Sequence, residues 1–206
     1  MYRLPAFAEG DRARLEALIA AHPLGLLVSS GPAGLMANPI PFTLAGPPEA
    51  RVLQAHLARA NPQLAELAAA PEVLVVFQPG EAYVTPSWYP SKAEHGRVVP
   101  TWNFAMVQVR GRARLCPEAP FLRAQIAALT AQMEGPRATP WAVEDAPEDF
   151  ITAQMRAITG LEIDIQSLEG KLKLSQNRSQ ADRVGVRTGM MTEGVPLARL
   201  MPDPSL

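Results

Sequence analysis

This chain of 206 residues is poor in several things, and each shortage excludes something. It has one cysteine, Cys116, so no intramolecular disulfide can form, and a reducing compartment fits. Only His22, His56 and His95 stand beside it, at spacings that match no zinc-ligand pattern. A formal net charge of −1 supplies no basic field to hold nucleic acid or an anionic membrane without specificity. No apolar run is long enough to span a bilayer, and Arg3, Glu9, Asp11, Arg12, Arg14 and Glu16 interrupt the place where a signal peptide needs its apolar core. A soluble, cytoplasmic protein with no membrane partner is expected. Catalytic signatures are equally scarce: there is no G-x-G-x-x-G after a strand, no G-x-S-x-G elbow and no H-E-x-x-H. Gly170-Lys171 resembles the end of a phosphate loop, but Leu172 follows where a metal-binding hydroxyl is needed.

Aromatic residues make up only 6% of the chain, yet they are concentrated. The stretch from Glu81 to Asn103, EAYVTPSWYPSKAEHGRVVPTWN, holds two of the three Trp and two of the three Tyr, around Lys92. Flat rings beside a cation and the hydroxyls of Ser87 and Thr101 suit a flat, anionic ligand. The competing reading is that Trp88 and Trp102 pin a long hairpin onto a barrel. A second cluster, His56, Arg59 and Asn61, falls at a strand end leading into a helix start, where backbone N–H groups and a guanidinium can hold a phosphate; the alternative is an Asn cap beside a solvated Arg. The third, Glu169 to Arg178, reads EGKLKLSQNR and follows the expected last strand. Its donor density points either to a ligand or to a solvated C-terminal arm.

The periodicities predict a helix, a run of strands and more helices. Asp11 caps a helix that puts Leu15, Leu18 and Ile19 on one face and stops at Pro23. Strands are expected at Leu24–Ser30 and Leu35–Leu44, joined by the turn Gly31-Pro32-Ala33-Gly34, and at Arg51–Leu57. A short helix runs from Asn61-Pro62 to Ala70. Val73–Gln78 is then a strand that Pro79-Gly80 breaks, with Ala82–Thr85 returning beside it. Thr101–Leu115 should be the longest strand, with Val107, Val109, Gly111, Ala113 and Leu115 on one face and Gln108, Arg110, Arg112 and Arg114 on the other. Helices follow over Phe121–Met133 and Pro147–Thr159, and Leu161, Ile163 and Ile165 mark a last strand. Strands in hairpin order flanked by helices argue for an α+β, mainly β, antiparallel barrel in one domain over 1–206, with a C-terminal helical or arm extension from about residue 117 to 206.

HLARANPQ at 56–63, VFQPGEAYVTPSWYPSKAEHGRVVPTWN at 76–103 and LEGKLKLSQNRS at 168–179 resemble the signature blocks of the PaiB family, described as FMN-binding negative transcriptional regulators. The chain departs from the family pattern at Pro39, where a His is usual, and at Phe104, where a Tyr is common. The resemblance implies an antiparallel split β-barrel and a homodimer with FMN at the subunit interface. It implies a flavin site drawn from His56, Arg59, Asn61, Ser87, Trp88, Lys92, Thr101, Trp102, Asn103, Lys173, Gln176 and Asn177. Arg59, Lys92 and Thr101 would face the phosphate, and Trp88 and Trp102 the ring. Asn103, Gln176 and Asn177 would meet the polar edge of the ring. By the same resemblance the function is a negative transcriptional regulator or flavin-dependent sensor; the alternative is a flavin oxidoreductase acting on a small molecule. DNA is a possible partner by resemblance only. The sequence offers no strong reading element, since Gly185 and Gly189 weaken a helix that would carry Arg183 and Arg187.

Overall fold

The structure is a computed structural model that describes residues 1–32 and 34–203. In chain order the regular elements are β1 (Ala8–Glu9), α1 (Arg12–Ala21), β2 (Leu24–Gly31), β3 (Gly34–Pro41), β4 (Thr43–Ala45), β5 (Val52–Ala58), α2 (Gln63–Ala69), β6 (Glu72–Val84), α3 (Ser91–His95), β7 (Thr101–Cys116), α4 (Ala119–Glu134), α5 (Glu148–Arg156), β8 (Ile158–Lys173) and α6 (Gln180–Thr192). The strands form one antiparallel sheet in the order β3-β2-β6-β7-β8-β5-β4, with β1 pairing β8 off this path. The sheet is not closed among the described residues. This is an α+β fold of the split-barrel type.

Most of the expected elements form for the expected reasons. The Asp11 carboxylate accepts from the backbone N–H groups of Ala13 and Arg14 at the start of α1, at 3.0 and 3.4 Å. Leu15, Leu18 and Ile19 are all buried. Along β7 the buried positions are Asn103, Ala105, Val107, Val109, Gly111 and Ala113, while Arg110, Arg112 and Arg114 are exposed. Leu115 is only half-buried and Cys116 takes the buried place at the strand end.

Three expectations fail. The strand read over Leu35–Leu44 is two: β3 pairs with β2, β4 pairs with β5, and Phe42 between them is buried edge-on against Phe77 with ring centroids 5.8 Å apart. Pro41 lacks the N–H that a continued ladder would use. Ala33 in the preceding turn lies outside the described residues. Pro79-Gly80 does not turn the chain back; β6 runs straight through it. Val73, Val75 and Phe77 are buried, then Ala82 and Val84, so the buried positions pass from odd to even numbers across the Pro-Gly pair. The fixed φ of proline suits extended backbone, and the pair shifts which face is buried rather than reversing the chain. Finally, the donor-rich run from Glu169 is no solvated arm. Glu169 to Lys173 ends β8, with Gly170 and Leu172 buried and Lys171 and Lys173 on the alternate face, and Leu174 and Ser175 in the turn that follows are buried as well.

The chain divides into two compact units, with β6, β7 and β8 each contributing to both. One comprises residues 16–77 and 108–168. Its core is Leu27, Phe42, Leu53, Leu57, Val75, Phe77, Val109, Leu122, Leu161 and Ile163, all at most 2% exposed. Burying each such side chain fully is worth roughly 1.5–3 kcal/mol. A polar network inside it joins Gln63 to Leu27 O and Ser29 Oγ, and Ser29 Oγ to the Glu66 carboxylate at 2.8 Å. The other unit comprises residues 1–15, 78–107 and the chain from Glu169 onward, with Phe7, Val84, Tyr89, Leu172, Leu174, Val186 and Met190 in its core.

Candidate functional site

In the unit that contains the aromatic stretch, the second half of β6 leads into a tight turn over Pro86–Trp88, whose Ser87 N–H donates to the Thr85 hydroxyl at 3.3 Å. Trp88 then packs on α6. A Cβ added to Gly185 would lie 2.0 Å from Trp88 O, and one added to Gly189 would lie 2.4 Å from the indole. The two glycines read from sequence as weakening this helix are therefore the flat facet that admits the ring. Ser91 clamps the same helix, its N–H and hydroxyl donating to the buried Asp182 carboxylate at 3.2 and 2.8 Å, and Ser179 caps it. Lys92, exposed on α3, stands 3.5 Å from Ser87 Oγ.

The start of β7 and the end of β8 meet in a second group of contacts. Lys173 Nζ donates to Thr101 Oγ1 at 2.6 Å and to the Trp102 carbonyl. Asn103, fully buried, donates to Ser175 Oγ at 2.9 Å, and Ser175 sits in left-handed backbone at φ +65°. Lys171 donates to Tyr2 O at 3.1 Å and lies 5.3 Å from the Tyr2 and Phe104 ring centroids. The Arg178 guanidinium lies 4.8 Å over the Tyr89 ring. Burial raises the Tyr89 hydroxyl pKa, and the adjacent Arg178 guanidinium opposes the rise. Lys171, Lys173 and Arg178 are thus all held by neutral groups, and none pairs with a carboxylate among the described residues. Burial first, then the charges of Lys171 and Arg178, lower the Lys173 pKa from its ordinary value. Such a cluster is electrostatically incomplete without an anion.

Next to it, Trp102 is 53% exposed and meets Tyr83 edge-on, centroids 5.9 Å apart at 72°. With Gln78, Glu81, Phe104 and Met106 it lines a shallow cleft of about 230 Å³.

Other sequence candidates have different surroundings. Gln176 spends its side-chain amide locally, accepting from Leu174 N and donating to Leu172 O. Asn177 is exposed. His56, Arg59 and Asn61 belong to the other unit. There His56 Nδ1 contacts Gln125 Oε1 at 2.7 Å, Asn61 Oδ1 accepts from Gln63 N at 3.0 Å as a helix cap, and Arg59 is exposed. Sequence reasoning missed Lys171, Tyr89 and Arg178. The alternation K-L-K-L was the available signal, since it puts both lysines on one strand face.

Residues 1–167 match the family model described as "Putative FMN-binding domain". The chain is 35% identical to an uncharacterized protein of Emericella nidulans, over 94% of this chain and 92% of that one. It is 30% identical to the Bacillus subtilis protein named Protease synthase and sporulation protein PAI 2, over 72% of this chain and 69% of the relative. Among solved structures, the FAD and heme binding protein from Mycobacterium smegmatis has the same fold, with a TM-score of 0.59 at 20% identity, covering 81% of this chain and 73% of that one. The fold and the match together define a flavin-binding split-barrel protein. The chain belongs to the PaiB family, and its cofactor is FMN. The residues present fit that group: three cations held by neutral groups among the described residues suit a phosphate dianion, and the Trp102–Phe104 cleft offers an apolar wall for a flat ring.

Proposed function

We propose that this protein is a flavin-dependent sensor of the PaiB type that works as a homodimer and lowers transcription through a partner rather than by reading DNA itself. The observation that carries the flavin part is the cluster of Lys171, Lys173 and Arg178, buried enough to depress one ammonium and hydrogen-bonded or stacked on neutral groups among the described residues. Lys173, Thr101 and Trp102 sit on the strand ends that would hold FMN, with Ser87 and Lys92 on the neighbouring turn. When bound, FMN supplies reversible redox chemistry. The chain's own part is to neutralise the phosphate, to wall the ring and to keep Asn103 and Ser175 fixed behind it.

The sensor reading is favoured over a DNA reader by charge. Arg112 pairs with Glu72 at 3.0 Å and Arg114 with Glu162, so the arginine row on β7 is largely neutralised. The element before α6 is a strand, so α6 has no helix-turn-helix partner directly preceding it. Self-association is supported by the exposed Leu24, Leu26 and Leu35 on the β2–β3 hairpin, where β3 ends the sheet order. The open cleft at Trp102 favours a second reading, an oxidoreductase for a small molecule, since it leaves room beside an aromatic wall.

Stopped-flow mixing of the FMN-loaded protein with NADH or NADPH decides between the two. A sensor is reduced once and shows no sustained turnover; steady turnover at the ~1–10³ s⁻¹ of ordinary enzymes replaces it with the oxidoreductase. Light scattering on the same sample tests the dimer.

A further inference from the structure

A cleft of about 280 Å³ lies within one unit between α6 and the turn over Pro196–Leu200, lined by Arg187, Met191, Gly194, Val195, Pro196, Ala198 and Arg199. Two of its side chains are guanidiniums and none is acidic. Neither guanidinium has a hydrogen bond or an ion pair among the described residues, and the Nε of Arg187 is fully buried without a partner. A buried donor on a charged group is costly to leave unpaired, and here it belongs to a side chain that lines an open cleft. The rest of the lining is apolar, from Met191, Val195, Pro196 and Ala198.

We infer that this cleft is a second ligand site, separate from the flavin cluster, for a small organic anion with an apolar body: an oxyanion held by the forks of Arg187 and Arg199, its hydrocarbon part on Met191, Val195 and Pro196. Guanidiniums select a planar oxyanion because two parallel N–H groups match its two oxygens. The volume sits just below the ~300–1,000 Å³ of drug-sized sites, which sets a ligand of one ring or a short branched chain. The adjoining cleft shares Val195 but carries Glu81 and Glu193, so it repels the same ligand. Lys171, Lys173 and Arg178 do not line the site. The inference therefore stands apart from the flavin reading and can fail without it.

Benzoate is a suitable probe, with benzamide as its neutral isostere, titrated calorimetrically into the FMN-loaded protein. Saturable benzoate binding is expected, with benzamide weaker by about tenfold or more, and with Arg187→Ala and Arg199→Ala each losing about ten- to a hundredfold. Lys173→Met, with FMN raised until it is again saturated, should leave benzoate binding intact, and the flavin absorbance should not shift on titration. Because Arg187 is half-buried, its variant needs a melting curve; should it fail to fold, the exposed Arg199→Ala carries the comparison alone. No saturation by about 10 mM, equal binding of benzamide, or loss in Lys173→Met with retention in the arginine variants would each overturn the assignment.

Discussion

The indole of Trp88 lies so close to Gly189 that a single added methyl would sit 2.4 Å from the ring. The aromatic turn that sequence marks as a ligand feature is thus held against α6 through Trp88. Gly189→Ala should therefore destabilise the fold, because overpacking of about 1–3 kcal/mol exceeds the ~1 kcal/mol that alanine returns in helix propensity. Gly10→Ala, where a Cβ meets nothing within 4 Å, is the control and should melt like wild type. Equal melting temperatures for the two variants would show that Trp88 can move aside.

Loss of one phosphate contact should discriminate between flavins. Lys173→Met is expected to weaken FMN about ten- to a hundredfold while riboflavin, which has no phosphate, barely changes. Arg59→Ala measured beside it asks the same of the cluster at residues 56–61. Fluorescence titration of both flavins against both variants assigns the phosphate to whichever residue shows the selective loss.

The pH dependence has a defined sign. Lys173 has a lowered pKa in the folded chain, chiefly from burial, so between that value and the ordinary 10.5 the unfolded chain binds more protons. Stability then rises with pH through this window, and the penalty is fully present below it. In an alkaline melting series without flavin, Lys173→Met should gain stability over wild type at neutral pH and lose the advantage towards pH 10.5. A constant difference across the series would contradict the lowered pKa.

Cys116 should be a poor nucleophile. It is 1% exposed, and burial raises its thiol pKa against the opposing charge of Arg114, with Glu162 and Glu118 adding to the rise. A thiol reagent is expected to label it slowly in the native protein and at once in denaturant; fast native labelling would point to an opening of the β7–α4 corner.

Random duplex DNA at physiological salt should bind more weakly than the ~10⁻⁴ to 10⁻⁶ M common to non-specific binders. Gel shift or anisotropy measures this, and tight, salt-sensitive binding would reveal a basic surface that a net charge of −1 conceals.

Sequence was a good guide wherever one face is wet. β7 could be placed from its apolar and arginine alternation, and α1 from its cap and three leucine-type positions, because burial imposes those periods directly. It misled at Pro79-Gly80, since a pair that commonly turns a chain also fits an extended strand, and only the neighbouring strands decide which. It misled again at EGKLKLSQNR, where lysines suggested solvent while every second residue was packing into the sheet. Within the candidate site, Lys173, Thr101 and Trp102 were named through resemblance, and the structure brings these three into contact. Arg178 and Tyr89 were not, because a cation stacked on a ring 89 residues away in the chain leaves no local pattern. Gln176 shows the converse: its type suits a flavin edge, but its amide is consumed by the backbone on either side.

If the cluster of Lys171, Lys173 and Arg178 is the proposed flavin site, it also couples the cofactor to the life of the polypeptide. Like charges held together near neutral partners strain the empty chain, and an anion that binds only the folded form relieves them in proportion to its concentration. Stability thus becomes a readout of loading. A cell short of flavin would keep a larger unfolded fraction of this protein and clear it sooner, so its abundance would follow the flavin supply without any separate control.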